Sequence, residues 1–398
     1  MQEDDTGDDR TAGGALRGLL VADFSRVLAG PLASMFLADL GATVIKVERP
    51  PIGDETRQWG PPYVGSLTAY YCSVNRNKRS IELDFSVPAD LALAHRLADR
   101  ADVFIENFLP GKLEAFGLDY DSLHGSNPRA VYCSISGFGG RSDLPGYDFV
   151  VQAVGGLMSV TGQPDGPPTK AGVPFVDVLT GLHATIGILS ALHERDRSGV
   201  GQRVEVNLLS GLLGSLINQG TGYINGAAEP GRLGNAHPTI APYETFETSD
   251  APLAAAGGND RQFRAMVEAV GLPELADDPR FADNARRLAH RAELRELLEG
   301  ALAADTAAGW AARLQAVGVP CGPVNTIGSA LEFATMLGLD PVVRFEPAGD
   351  DPGIATLANP LRLSATPVRY DRPPPALGAD SAEIRAWLES DSLDLIED

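Results

Sequence analysis

The chain is poor in the residues that build cross-linked or metal-held frameworks. It has three cysteines in 398 residues, Cys72, Cys133 and Cys321, too far apart for a disulfide scaffold and with no C-x-x-C pair among them. The six histidines are scattered, and the two that share a helical stretch, His183 and His193, miss the four-residue spacing of a helical zinc pair. No metal site is expected. No apolar run reaches the roughly 18 residues of a membrane span, and the acidic start MQEDDTGDDRTAGGA lacks the apolar stretch of a signal peptide. Residues 1–15 are therefore expected to be a disordered leader on a cytoplasmic protein without a membrane partner. Positive charge is scarce as well: 32 Lys and Arg face 53 Asp and Glu, a net charge of -21 that excludes a nucleic-acid partner, since phosphate neutralisation needs a dense basic face. Two motifs are missing too. Without G-x-G-x-x-G a nicotinamide or flavin site is disfavoured, and without G-x-S-x-G a serine hydrolase is.

What is present suits a globular enzyme of two domains, 44% hydrophobic with glycine and proline spread throughout. LLVADF predicts a strand, SRVLAGP a turn, 32–40 a helix stopped by Gly41, and ATVIKVERP a second strand. The alternation continues through a helix over 88–100, the strands ADVFIEN and RAVYCSISGFGG, a helix over about 178–197 and the strand QRVEVNLL. Such alternation predicts a parallel sheet covered on both faces. The fold class is α/β, a Rossmann-like large domain plus a smaller α+β domain, with bounds at 16–210 (large domain), 211–235 (linker), 236–325 (small domain) and 326–398 (a return segment completing the large domain).

Four stretches carry candidate chemistry. SRVLAGP sits where a dinucleotide fold binds phosphate, and the early half holds local cations, among them Arg26, Lys46, Arg49, Lys78 and Lys112, that suit a phosphate-bearing small molecule as well as a solvated surface. SISGFGG turns at a strand end. GGNDRQF presents either backbone N–H groups to an oxyanion or a helix start capped by Asn259 or Asp260. In KAGVPFVDVLTGLHATIGILSALHE, Asp177 is the single charge between Lys170 and Glu194. It is either an N-cap or a carboxylate held at a helix start for nucleophilic attack, and the two roles are compatible.

Several segments together, DFSRVLAGP, LADLGATVIKVERP followed by GD and TR, NRNKRSIELDF, ADVFIENFLPG, SISGFGG, PGYD, GPPTKAGVPFVD, GNAHPTIAPY, GNDRQF and GVPCGPV, resemble the class III CoA-transferases, the formyl-CoA transferase and carnitine CoA-transferase-like (CaiB/BaiF) group. The resemblance implies an interlocked homodimer and coenzyme A as the cofactor-like substrate, with an acyl-CoA and a small carboxylic acid as partners. It places the catalytic aspartate on Asp177 and a mobile oxyanion or lid loop on Gly257, Gly258 and Asn259. For CoA it implies Val27, Leu28, Ala29, Arg49, Leu83, Asn107, Phe108, Ser136, Gly137 and Phe138, and for the acyl carboxylate Arg26. Leu28, Ala115 and Ser136 depart from the formyl-CoA transferase pattern, which argues against oxalate and formate as the pair. GNAHPTIAPY and GNDRQF are similar to members that use succinyl-CoA and small dicarboxylic acids. The α-methylacyl-CoA racemases of the same superfamily carry a His-Asp pair where this chain has Tyr147-Asp148; racemisation, or a catalytically idle CoA-binding protein, is the alternative.

Overall fold

The computed structural model describes residues 14–346, 353–390 and 392, so most of the expected leader lies outside the described residues. The chain divides into two compact units, one of residues 1–157, 171–225 and 340–398 and one of residues 158–170 and 226–339. In the first, six strands, β1 (Leu20–Asp23), β2 (Thr43–Glu48), β3 (Lys78–Glu82), β4 (Val103–Glu106), β5 (Val131–Ser136) and β6 (Arg203–Asn207), pair in parallel in the order β3-β2-β1-β4-β5-β6. This is the doubly wound order, and its direction of growth reverses between β1 and β4. Consecutive residues serve opposite faces: Val21, Val44, Val103 and Val131 enter one core cluster, Ala22, Ile45, Phe104 and Tyr132 the other. Burial on both faces is why β1, β2, β4 and β5 are largely apolar runs in the sequence, while the outer strands β3 and β6 carry more charge.

Helices cover both faces. On the first lie α1 (Ala29–Asp39) and α4 (Phe175–Ser198), contributing Ala33, Leu37, Val176, Ala184 and Ile188. The other carries α2 (Pro88–Arg100), through Leu93 and Leu97. Between them in the chain comes the short α3 (Asp148–Val154), and α4 and β6 are followed by α5 (Leu208–Ser215) and α6 (Ile217–Ile224). Among the described residues α4 is the one helix long and apolar enough to cross a membrane, but half of its apolar window is buried inside this unit. Gly181 lets it approach α1, since a Cβ there would lie 2.7 Å from the Ala29 carbonyl oxygen.

The second unit is α+β. Its antiparallel sheet of β7 (Tyr243–Phe246), β8 (Leu253–Ala256) and β9 (Cys321–Pro323), with β8 central, packs with α7 (Asp260–Ala269), α8 (Arg291–Leu302) and α9 (Ala307–Ala316) around Phe246, Phe263, Phe281, Leu298 and Trp310. The stretch 211–225, expected as linker, holds the end of α5 and all of α6, and α10 (Ile327–Met336), expected in the return segment, clusters with this unit.

From residue 340 the chain rejoins the large unit through the hairpin β10 (Val342–Phe345) and β11 (Ile354–Leu357), and then α11 (Ser381–Glu389), whose Ile384 and Trp387 bury beside Leu93 and Leu97. Its anchor is a buried ion pair. The Arg76 guanidinium donates to both oxygens of Asp39 at 2.9 and 2.6 Å and to the Leu357 carbonyl at 2.7 Å, while Asn359 donates to Asp39 at 2.9 Å. Removing one partner leaves the other buried and uncompensated. Asp39→Ala is therefore expected to lower the free energy of unfolding by about 3–5 kcal/mol and to expose residues 353–372 to protease; urea unfolding near the wild-type value would show that other contacts hold the return segment.

Candidate active site

Most of the residues singled out for CoA follow the carboxyl ends of the strands: Val27, Leu28 and Ala29 after β1, Arg49 after β2, Leu83 after β3, Asn107 and Phe108 after β4, and Gly137 and Phe138 after Ser136 at the end of β5. The β1 and β4 loops flank the point where the sheet reverses, the crevice in which doubly wound folds bind ligands. The structure shows what several of these residues contact within the chain. The Leu83 side chain is buried in the core. Leu28 and Ala29 are likewise buried, leaving the backbone at the start of α1, where no side chain caps the helix, as what this loop can offer. The Asn107 amide is spent on the chain itself, accepting from Arg26 N at 2.9 Å and donating to Arg26 O at 2.7 Å. Arg26 pairs with Glu55 at 2.6 Å and lies over the Phe108 ring, so its charge is already compensated. Arg49 is exposed. A polar cavity of about 190 Å³ opens beyond β4 and β5, lined by Glu106, Phe108, Tyr132, Ser134, Ser136 and Arg203 among others; with Glu114, Asp119 and Asp121 also in its wall, carboxylates outnumber its one guanidinium.

Asp177 is the third residue of α4, and it is not the cap. That task falls to Asp148 at the start of α3, whose Oδ1 accepts from the backbone N–H of Val176 at 2.7 Å and of Asp177 at 3.2 Å. Its Oδ2 accepts from Gln152 Nε2 at 2.5 Å, and Gln152 in turn holds Ala171 N at 2.8 Å. The expectation that helix-start amides would stabilise the Asp177 anion therefore fails, because a neighbour's carboxylate has taken them. The Asp177 carboxylate itself has no hydrogen-bond partner among the described residues. Burial, and after it the like charge of Asp148, push it up to about 7 from the 3.8 of an exposed aspartate. Tyr70 was missed from the sequence. It packs with Val178 on the Leu28–Leu32 cluster, and its phenol is pushed well above its ordinary value by burial and then by Asp177, Asp148 and Asp54. Nothing in AYYC marks it, whereas Asp148 is visible as a lone charge before FVVQAV.

Two glycines set where Asp148 stands. A Cβ built on Gly137 would lie 2.6 Å from the Gly146 Cα, and one on Gly146 would lie 2.4 Å from the Gly137 Cα. SISGFGG and PGYD are thus pressed backbone to backbone, which delivers Asp148 to the mouth of α4.

Beneath the β1 loop lies a buried network of alternating charge. Lys78 Nζ reaches Asp23 Oδ2 at 3.0 Å, the Pro31 carbonyl at 2.9 Å and Asn75 at 2.9 Å. Lys46 Nζ reaches Asp54 Oδ2 and the Ser25 carbonyl, each at 2.9 Å. Burial alone would raise Asp23, but Lys78 and Lys46 bring it down to about 2. Burial brings Lys78 down to about 8, against the pull of Asp23.

In the second unit, Asn259 caps α7, its Oδ1 accepting from Gln262 N at 2.9 Å, as a helix-start turn predicts. Gly257 N is bound to the Pro242 carbonyl at 2.8 Å, and Gly258 is exposed. Among the described residues no three His, Cys, Asp or Glu side chains are grouped to hold a metal ion.

A doubly wound parallel sheet, with an unbonded, partly buried carboxylate on a helix beside its switch point, defines an α/β protein of the ligand-binding doubly wound class. The comparisons narrow this. A family model described as CoA-transferase family III matches residues 16–381. The succinate–glutarate CoA-transferase of Agrobacterium fabrum is 43% identical over 386 residues, 94% of this chain and 96% of that protein, and the succinyl-CoA:glutarate CoA-transferase of Homo sapiens is 39% identical over 375 residues, 93% of this chain and 85% of that one. The crystal structure of a CAIB/BAIF family protein from Brucella suis has a TM-score of 0.84 at 42% identity, covering 95% of this chain and 100% of that chain. The chain belongs to CoA-transferase family III.

Because the Asp177 carboxyl lies near 7 when folded and near 3.8 when exposed, the folded chain keeps between those pH values a proton that the unfolded chain has released. The associated stability is present below about pH 4 and lost as the pH rises through 7. Its ceiling is about 4 kcal/mol, reduced by solvent screening at a partly buried group. Asp177→Asn is expected to be more stable than wild type at pH 8 by about 1–2 kcal/mol and equal to it at pH 4. A variant no more stable at pH 8, in thermal or urea unfolding, would refute the electrostatic assignment.

Proposed function

We propose that this chain is an acyl-CoA:carboxylate CoA-transferase with Asp177 as its nucleophile, succinyl-CoA or another small dicarboxyl-CoA as donor, and a small dicarboxylic acid of the glutarate kind as acceptor. The observation that carries the reading is the unbonded Asp177 carboxylate, raised by burial and by Asp148. Such an anion is reactive, and acylation makes it neutral, removing both the desolvation penalty and the repulsion in one step. The donor and acceptor rest on the activities of the two relatives named above.

In this mechanism an Asp177 oxygen attacks the thioester carbonyl, the C–S bond breaks, and CoA thiolate leaves a mixed anhydride behind. The thiolate attacks the aspartyl carbonyl, expelling the donor acid as carboxylate and leaving an aspartyl-CoA thioester. The acceptor carboxylate attacks that thioester and releases the thiolate again. Attack of the thiolate on the acceptor acyl carbon then yields the new acyl-CoA and restores Asp177. Each tetrahedral intermediate needs hydrogen-bond donors at its oxyanion. The backbone amides at the start of α1, Leu28, Ala29 and Gly30, supply them in this reading. Arg49 meets the nucleotide phosphate. Two chains interlock as a homodimer, a reading supported by the apolar side chains left exposed within each unit: Ile186, Ile217 and Ile224 in one, Ile327, Phe333 and Met336 in the other, where α10 buries none of its residues. Tyr147, standing where a racemase has its histidine, makes a poor base near neutral pH.

Incubation with succinyl-CoA, acid quench and peptide mass spectrometry are expected to show a CoA adduct on the peptide containing Asp177, and labelled glutarate to be converted to glutaryl-CoA. Asp177→Ala, folded by circular dichroism, should lose at least about a thousandfold in kcat; a folded variant that keeps transfer sinks the assignment. Since only the anion attacks, kcat/KM should climb with pH and level off above an apparent pKa of about 7. A profile flat from pH 5 to 8 would contradict it.

A further inference from the structure

Val27 has φ 73, a left-handed backbone conformation that a β-branched side chain resists and glycine adopts freely. Something outside the residue must hold it there. Each of three successive residues has a backbone group gripped by a side chain from elsewhere in the unit. Lys46 Nζ holds the Ser25 carbonyl at 2.9 Å, the Asn107 amide holds both backbone groups of Arg26, and Asp54 accepts from Val27 N through both oxygens at 3.3 and 3.2 Å. Asp54 is itself fully buried and fixed by Lys46 at 2.9 Å and by Thr56 through N at 3.0 Å and Oγ1 at 2.7 Å. Directly after the turn come the first amides of α1, those of Leu28, Ala29 and Gly30, which no side chain caps, and the Ala29 carbonyl lies against Gly181, one helical turn beyond Asp177.

We infer that Asp54 is a positioning residue for acyl transfer: it latches Val27 in the left-handed conformation and so sets the amides after Val27 against the Asp177 end of α4. The inference rests on the CoA-transfer reading for its kinetic consequence and on the turn alone for its structural one. A latch that acts through one backbone angle has a signature that a general support of the fold lacks, because a residue free to adopt that angle replaces it in part.

In the full-length chain, Asp54→Asn should lower kcat for transfer from succinyl-CoA to glutarate at least tenfold while KM for succinyl-CoA stays within threefold. Adding Val27→Gly to Asp54→Asn should recover at least threefold of the loss. Amide hydrogen exchange over residues 25–31 should quicken in Asp54→Asn while β2 and β4 stay protected, a readout independent of turnover. Should Asp54→Asn fail to fold, Asp54→Asn with Lys46→Met leaves no unpaired buried charge and is measured in the same way. Unchanged kcat in a folded variant, a loss that Val27→Gly does not relieve, or unchanged exchange over 25–31 would each overturn the latch. A wild-type chain inert toward every donor would sink the transfer reading instead, with the exchange measurement still deciding the turn.

Discussion

The organisation of the site follows from where one carboxylate is spent. Asp148 bonds the first amides of α4 with one oxygen and Gln152 with the other. In doing so it denies Asp177 the donors its position at a helix start would ordinarily provide. Two acidic groups at one helix mouth thus take different parts, one satisfied and structural, the other unbonded and costly to ionise. The environment divides the roles, since the two side chains are chemically identical.

The same economy of charge operates under the sheet edge. Asp23, Lys78, Lys46 and Asp54 are fully buried, and each cation touches a backbone carbonyl as well as a carboxylate, Lys46 that of Ser25 in the β1 loop and Lys78 that of Pro31 in the first turn of α1. A network of this sort has little tolerance, because loss of any member strands its neighbour in a low-dielectric interior. It also accounts for the cations that look, in the sequence, like a phosphate-binding cluster. Lys46, Arg57, Arg76 and Lys78 face inward and hold loops, and Arg49 stays at the surface.

Most of the sheet was legible in the sequence because strands buried on both faces leave apolar runs, and the five expected segments coincide with β1, β2, β4, β5 and β6 within a residue or two at most ends, while β3, where Lys78, Arg79 and Glu82 break up the apolar residues, was not foreseen. Helix starts were less so. α1 begins at Ala29, before the expected start at 32, and α4 begins at Phe175, before the expected start at about 178, because the cap that holds Val176 N comes from Asp148, 28 residues before Val176, rather than from its own first turn. A cap supplied from a distance leaves no local spacing to find. Asp177 stood out as a lone charge among apolar neighbours, and the structure keeps it exceptional. Asn107 and Leu83 show the opposite limit, for a resemblance places a residue at a ligand edge without revealing that its amide is already bonded or its side chain turned inward. Tyr70 left no trace in composition or period, since its nearness to Asp177 arises from tertiary packing.

The contact between Gly137 and Gly146 carries one more implication. With no side chain between them, the separation of the strand edge from the capped helix is a main-chain dimension, indifferent to which rotamers or volumes surround it. Substitutions in the surrounding side chains can therefore reshape the neighbouring surface without shifting Asp148 against the start of α4, so that the two are free to vary on separate sets of residues.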